Sequence, residues 1–186
     1  MNFQFTFPIP ESVNKINFGI PIIFIGSCFS DEIGEEASFS GLQSLSNPFG
    51  TLFHPFAIGQ AILDSLNDEQ TCEIVQQDDV YFHWGSAGKV HGYSENEIKN
   101  SVNEIRNQLR SQLKQASHLF ITFGTAKGYR LKSSQKIVAN CHKQAPSDFE
   151  ITHSKSDEIV LFWKPILQQL REWNPDLEIV FTVSPV

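Results

Sequence analysis

The sequence predicts an α/β fold, three layers with helices on both faces of a parallel sheet, and three observations carry that prediction. Pro21-Ile22-Ile23-Phe24-Ile25, His118-Leu119-Phe120-Ile121-Thr122-Phe123 and Leu177-Glu178-Ile179-Val180-Phe181-Thr182-Val183 are short runs rich in β-branched and aromatic residues, the composition of strands covered on both faces. The first two stop at glycines, Gly26 and Gly124. Between the three runs lie segments with helical spacing, and strands that alternate with helices argue for βαβ units.

Taken in order, the first strand spans about residues 21–26 and turns sharply at Gly26, where a Cβ would resist the turn. A helix follows from about residue 31, with Ser30 and Asp31 as capping residues and Ile33, Ala37 and Phe39 on its apolar face. Asn47-Pro48-Phe49-Gly50-Thr51 is a turn cluster. His54-Pro55 restarts a helix that runs to about Leu66, with Phe56, Ile58, Ala61, Ile62 and Leu66 directed to the core. From Thr71 to Gly92 short β-like pieces are broken by Asp78-Asp79, Gly85 and Gly88, the pattern of a loop-rich insertion. Ser94 and Glu97 form a capping box ahead of Ile98, Val102, Ile105, Leu109 and Leu113, a strongly periodic helix. After the second strand, Tyr129–Lys132 and Lys136–Ala139 flank Ser133-Ser134-Gln135 as a hairpin. Residues from about Ser156 to Trp173 are amphipathic, and Pro165 lies where it could kink the helix. The third strand reads as buried, yet only Ser184-Pro185-Val186 follow it. The expectation is therefore that the natural polypeptide continues and that these residues form a single domain incomplete at its carboxyl end.

Composition narrows the function. A chain of 186 residues at 40% hydrophobic can build one substantial core. With 14 Lys and Arg against 21 Asp and Glu, the net charge is −7, and no basic run tracks phosphates, so no nucleic acid partner is expected. The start, Met1-Asn2-Phe3-Gln4-Phe5-Thr6-Phe7-Pro8, reads as an extended arm without the basic and apolar regions of a signal peptide. No run of 18 apolar residues occurs. These features predict a cytoplasmic protein with no membrane partner. Cys28, Cys72 and Cys141 lack the spacing of a zinc site or a disulfide framework, which makes free thiols the default and leaves a contact between Cys28 and Cys141 open.

Gly26-Ser27-Cys28-Phe29-Ser30-Asp31 is the chemically most pointed stretch. It places Ser27 and Cys28 in a strand-to-helix turn at the carboxyl end of a strand, the edge where open α/β sheets bind ligands. Amides of a first helical turn lower a thiol pKa and stabilise an oxyanion. Without any chemistry, Gly26 simply makes a turn and Cys28 is a small buried side chain.

Five motifs occur in order along the chain: Gly26-Ser27-Cys28-Phe29-Ser30, Asn47-Pro48-Phe49-Gly50-Thr51, Thr122-Phe123-Gly124-Thr125-Ala126, Val138-Ala139-Asn140-Cys141-His142-Lys143 and Thr182-Val183-Ser184-Pro185-Val186. Together they resemble the GSCFA family of bacterial proteins, with Ser30 where the family name has alanine. That family is similar to the SGNH or GDSL hydrolases, three-layer α/β/α enzymes that cleave esters and related acyl groups. The resemblance implies an SGNH-hydrolase-like esterase or acyl transferase. Its first block, Gly-Asp-Ser, laid on Gly26-Ser27-Cys28 puts Cys28 in the nucleophile's place, with Ser27 the alternative. Gly50, beside Asn47, matches the oxyanion-hole glycine. Gly124-Thr125-Ala126-Lys127 lacks the asparagine of the third block, and Asn140 is the candidate replacement. An Asp-x-x-His base is expected beyond Val186, so this chain alone should be nearly inactive.

His142 could serve as base or ligand, although neighbouring Cys141 points the other way on an extended segment. His54 reads as a cap or packing residue. His83-Trp84 and His91 could line a cleft, with Trp84 stacking on an apolar or sugar ring; a surface loop is the simpler account. A zinc site from Cys28, Cys141 and His142 has no support in the spacing. Lys127, Arg130 and Lys143 could recognise an anionic group, and apolar Phe49, Phe53 and Phe56 could favour an acyl chain. The expected partner is a small-molecule ester or an acylated carbohydrate, and no cofactor is indicated. The competing class is a binding module that keeps the cleft without the reaction, for a small molecule or carbohydrate.

Overall fold

The structure, a computed structural model, describes residues 8, 10–67 and 71–184; most of the arm expected over residues 1–8 lies outside them. The described elements are β1 (Ile22–Gly26), α1 (Cys28–Phe39), β2 (Ser44–Ser46), α2 (Pro55–Leu66), β3 (Ile74–Gln77), β4 (Val80–His83), β5 (His91–Gly92), α3 (Glu95–Gln115), β6 (His118–Phe123), β7 (Lys127–Leu131), β8 (Ile137–Val138), β9 (Phe149–His153), α4 (Ser156–Trp173) and β10 (Glu178–Val183). A single 3-10 turn, Pro146–Asp148, precedes β9.

The central sheet is parallel, in the order β10-β6-β1-β2. Side chains alternate across a strand, so the register pairing Ile23 with Leu119 and Ile25 with Ile121 puts all four on one face. There they join Ile58 and Ile62 of α2, Leu109 and Leu113 of α3, and Trp163, Ile166 and Leu170 of α4 in one buried cluster. Burying each such aliphatic side chain is worth about 1.5–3 kcal/mol. Phe24 and Phe120 stack with centroids 4.8 Å apart, and α1 packs on β1, β2 and β6. Helices thus cover both faces, the expected three layers.

Several elements depart from expectation for local reasons. α1 begins at Cys28, so Ser27 is its N-cap and Ser30 and Asp31 lie inside it. Its buried contacts are Ser30 and Gly34, while Ile33 and Phe39 are exposed. A Cβ at Gly34 would run into the Ser46 side chain, so close approach through a small residue replaces the expected apolar stripe. Ser44–Ser46 pairs with β1 as an unforeseen fourth strand. The region after Thr71 is an antiparallel sheet β3-β4-β5 rather than mere loop, and β9 joins the β7–β8 hairpin as a third strand. β10 forms as expected but is not buried: β6 pairs with it on one side, and Val180, Phe181 and Val183 are each more than a third exposed. No described helix is long and apolar enough to cross a membrane.

Candidate functional site

At the carboxyl end of β1, Gly26 has φ +147°, and a Cβ there would collide with the Thr122 carbonyl on β6. The close approach lets the Ser27 amide donate to the Thr122 carbonyl at 3.1 Å. Asn47 braces the turn from the other side: its Oδ1 accepts from the Gly26 amide at 2.7 Å and its Nδ2 reaches the Ser27 carbonyl at 3.5 Å. Asn47 is itself fixed, buried at φ +40°, with its amide on the Phe24 carbonyl. The Leu52 amide donates to the Gly26 carbonyl at 2.9 Å, and Thr51 Oγ1 donates to Asp31 Oδ2 at 2.8 Å. The second motif therefore holds both sides of the first.

Ser27 and Cys28 end up in opposite environments. Ser27 is 2% exposed, with Oγ 3.3 Å from Ser184 Oγ. Cys28 is exposed, a free thiol on the first residue of α1. It stands at the positive end of the α1 dipole, where the Ser30 amide already donates to the Ser27 carbonyl at 2.8 Å.

The remaining candidate donors are less available. Gly50 donates its amide to the Asn47 carbonyl at 2.8 Å, closing the turn. Both the Gly124 and Thr125 amides donate to the Phe53 carbonyl, at 2.9 and 3.1 Å. Thr125 Oγ1 accepts from the Lys127 amide at 3.0 Å. The bonds to Phe53 tie the third motif to the segment that follows the second, beside Ser27, whose Cβ lies 3.1 Å from where a Gly124 Cβ would stand. Gly124 must stay bare for the two loops to close.

Asn140 and His142 are not brought to this turn. Exposed Asn140 spends its Oδ1 on the His142 amide at 2.8 Å. His142, buried at φ +46°, places Nε2 3.0 Å from the His83 carbonyl and stacks on Phe82 at 4.6 Å. Burial is the main cause that lowers its pKa, against hydrogen bonds to the His83 and Ser86 carbonyls. Among the described residues it makes no contact with Ser27 or Cys28, and its environment is that of a packed neutral imidazole. Cys141 packs with Leu131, Val138 and Phe149, and all three cysteines are free. His54 caps α2: Nδ1 accepts from the Phe56 amide at 3.2 Å, which leaves the proton on Nε2 for the Ala126 carbonyl at 3.1 Å. Its pKa is lowered, chiefly by burial.

A set of hydroxyls under the turn escaped the sequence reading. Thr182 Oγ1 donates to Thr122 Oγ1 at 2.8 Å, and Ser30 Oγ donates to the same oxygen at 3.0 Å. Thr122 and Thr182 are polar interruptions of apolar runs at paired positions on adjacent strands, which is the signal that could have found them.

The model of the GSCFA family matches residues 21–186. No curated protein and no solved structure matches the chain.

Proposed function

Since the chain belongs to the GSCFA family, we propose that it is an SGNH-like hydrolase, an esterase or acyl transferase, with Cys28 as its nucleophile. The observation that carries this reading is the exposure of Cys28 at the first turn of a helix that starts directly from a parallel strand. Ser27, the alternative, is buried beneath it and serves the turn. The Cys28 thiolate attacks the ester carbonyl carbon, and the carbon–oxygen bond breaks to leave a thioester on Sγ. The departing alkoxide takes a proton from water, and a further water hydrolyses the thioester to the acid and the free thiol. With the Ser30 amide held by the Ser27 carbonyl, the Cys28 and Phe29 amides are the first-turn donors left for the developing oxyanion.

One observation favours the second reading, a binding module without turnover: the Gly50, Gly124 and Thr125 amides are all taken up within the protein. Removing one oxyanion donor costs about 10²–10³ in rate, so turnover by this chain should be slow. Treatment with p-nitrophenyl acetate, followed by intact-mass and peptide analysis, separates the two. The hydrolase reading expects one acetyl group on Cys28 and none on Cys72 or Cys141, whose thiol pKa values are raised chiefly by burial. Cys28→Ala should abolish labelling and Ser27→Ala should retain it. Equal labelling of the three cysteines, or none, would favour the binding module.

A further inference from the structure

Away from the nucleophile turn, His83 is 5% exposed and its Nδ1 has no hydrogen-bond partner. It lines a cavity of about 70 Å³ between α2, the β3–β4 hairpin and β8, together with Trp84, Gln60, Asp64, Glu73 and Lys136. By the same measure one water needs only ~10–15 Å³. An adjoining space of about 220 Å³ shares Gln60, Lys136 and Ile137 with it, so the two form one groove along α2. Gly85 packs directly on the imidazole, since a Cβ at that position would stand 2.7 Å from His83 Cε1.

Buried polar groups without partners are rare in folded proteins and call for a reason. Here they cluster. Arg106 of α3, 1% exposed, gives Nη2 to the Thr71 carbonyl at 2.9 Å and to Asp64 Oδ2 at 3.4 Å, both residues of the cavity lining, while its Nε and Nη1 are unpartnered. The chemistry of the lining selects among ligands. An acceptor-only anion would meet the carboxylates of Asp64 and Glu73. A metal cation would meet the Lys136 ammonium, which is paired with Glu73, with the Arg106 guanidinium held on Asp64 behind the lining. A hydroxyl group both donates and accepts, and so suits a lining that sets the Gln60 amide and the Lys136 ammonium beside the Asp64 and Glu73 carboxylates and the unpartnered His83 imidazole. Trp84 adds an aromatic surface of the kind that covers the apolar face of a ring.

We propose that this groove binds a neutral polyhydroxylated ring, of the size and chemistry of one pyranose, anchored on His83 and Trp84. The site does not depend on hydrolysis at Cys28. Its occupation can be read whether or not the chain turns over an ester.

The test is a titration of the purified chain with methyl β-D-glucopyranoside, followed by the indole N–H resonances of Trp84, Trp163 and Trp173. Trp163 belongs to the main core and Trp173 packs under Arg110, so they serve as internal controls. The expected result is a saturable shift confined to Trp84, with a dissociation constant of about 1 mM. Gln60→Ala, at an exposed position on α2, should weaken binding at least about fivefold, and Gly85→Ala should abolish it by pressing on His83. No saturable shift at Trp84 up to about 100 mM, equal shifts at all three indoles, or binding untouched by Gln60→Ala would overturn the proposal.

Discussion

Ser27 and Cys28 adjoin in sequence, yet a single helical cap separates their roles. The cap residue is extended and turned inward onto Ser184, whereas the first helical residue points its thiol to solvent. Gly26 decides both orientations. Its φ of +147° and its contact with the Thr122 carbonyl leave no space for a side chain, so Gly26→Ala should cost about 3 kcal/mol in unfolding free energy. Urea denaturation checks this, and a loss below about 1 kcal/mol would mean that the turn relaxes freely. Asn47 was legible as a turn residue, but its two bonds to the Gly26 amide and the Ser27 carbonyl were not. They join residues 21 and 20 positions apart, a proximity that follows only from the pairing of β1 with β2.

At the scale of elements, periodicity located α2, α3 and α4 because each buries a broad apolar face. α3 is the clearest case: Ser94 Oγ accepts from the Glu97 amide at 3.2 Å, and Ile98, Val102, Leu109 and Leu113 are fully buried. Ser94→Ala should cost about 1 kcal/mol, seen as a fall in thermal midpoint with no change in cysteine labelling. The periodicity of α1 misled, because its contact with the sheet runs through Ser30 and Gly34 and leaves Ile33 and Phe39 outside. Small residues contribute nothing to an apolar pattern. The short strands β2 and β5 were hidden for a related reason: two or three residues carry too little alternation to be read, and only their partners reveal them. The surroundings of His142 were not legible because the residue whose carbonyl its Nε2 meets, His83, is 59 positions away.

For the molecule as a whole, buried histidines set an acid limit. Burial first, then Arg106 and His142 nearby, push the His83 pKa down from 6.5 to about 3. His54 and His142 are lowered too. Between the unfolded value near 6.5 and the folded value, the unfolded chain binds the proton and the native one does not. Stability is thus fully present above about pH 6.5 and falls as pH drops toward 3. At about 1.4 kcal/mol per pH unit, His83 alone should remove about 2 kcal/mol between pH 6.5 and 5. Urea midpoints measured across that range should fall, and the profile of His83→Asn should be flatter. A wild-type midpoint that stays constant from pH 7 to 5 would contradict the assignment.

The sequence by itself determined the three-layer α/β class, the three long strands, the helices and the turn at Gly26, because each rests on local patterning or on one residue's backbone freedom. Tertiary structure alone decided which side chains meet: that Cys28 is open and Ser27 closed, that the amides of Gly50, Gly124 and Thr125 are occupied, and that His142 belongs with His83 and Phe82. Those pairings span tens of residues and depend on strand register and loop closure, which no local pattern encodes.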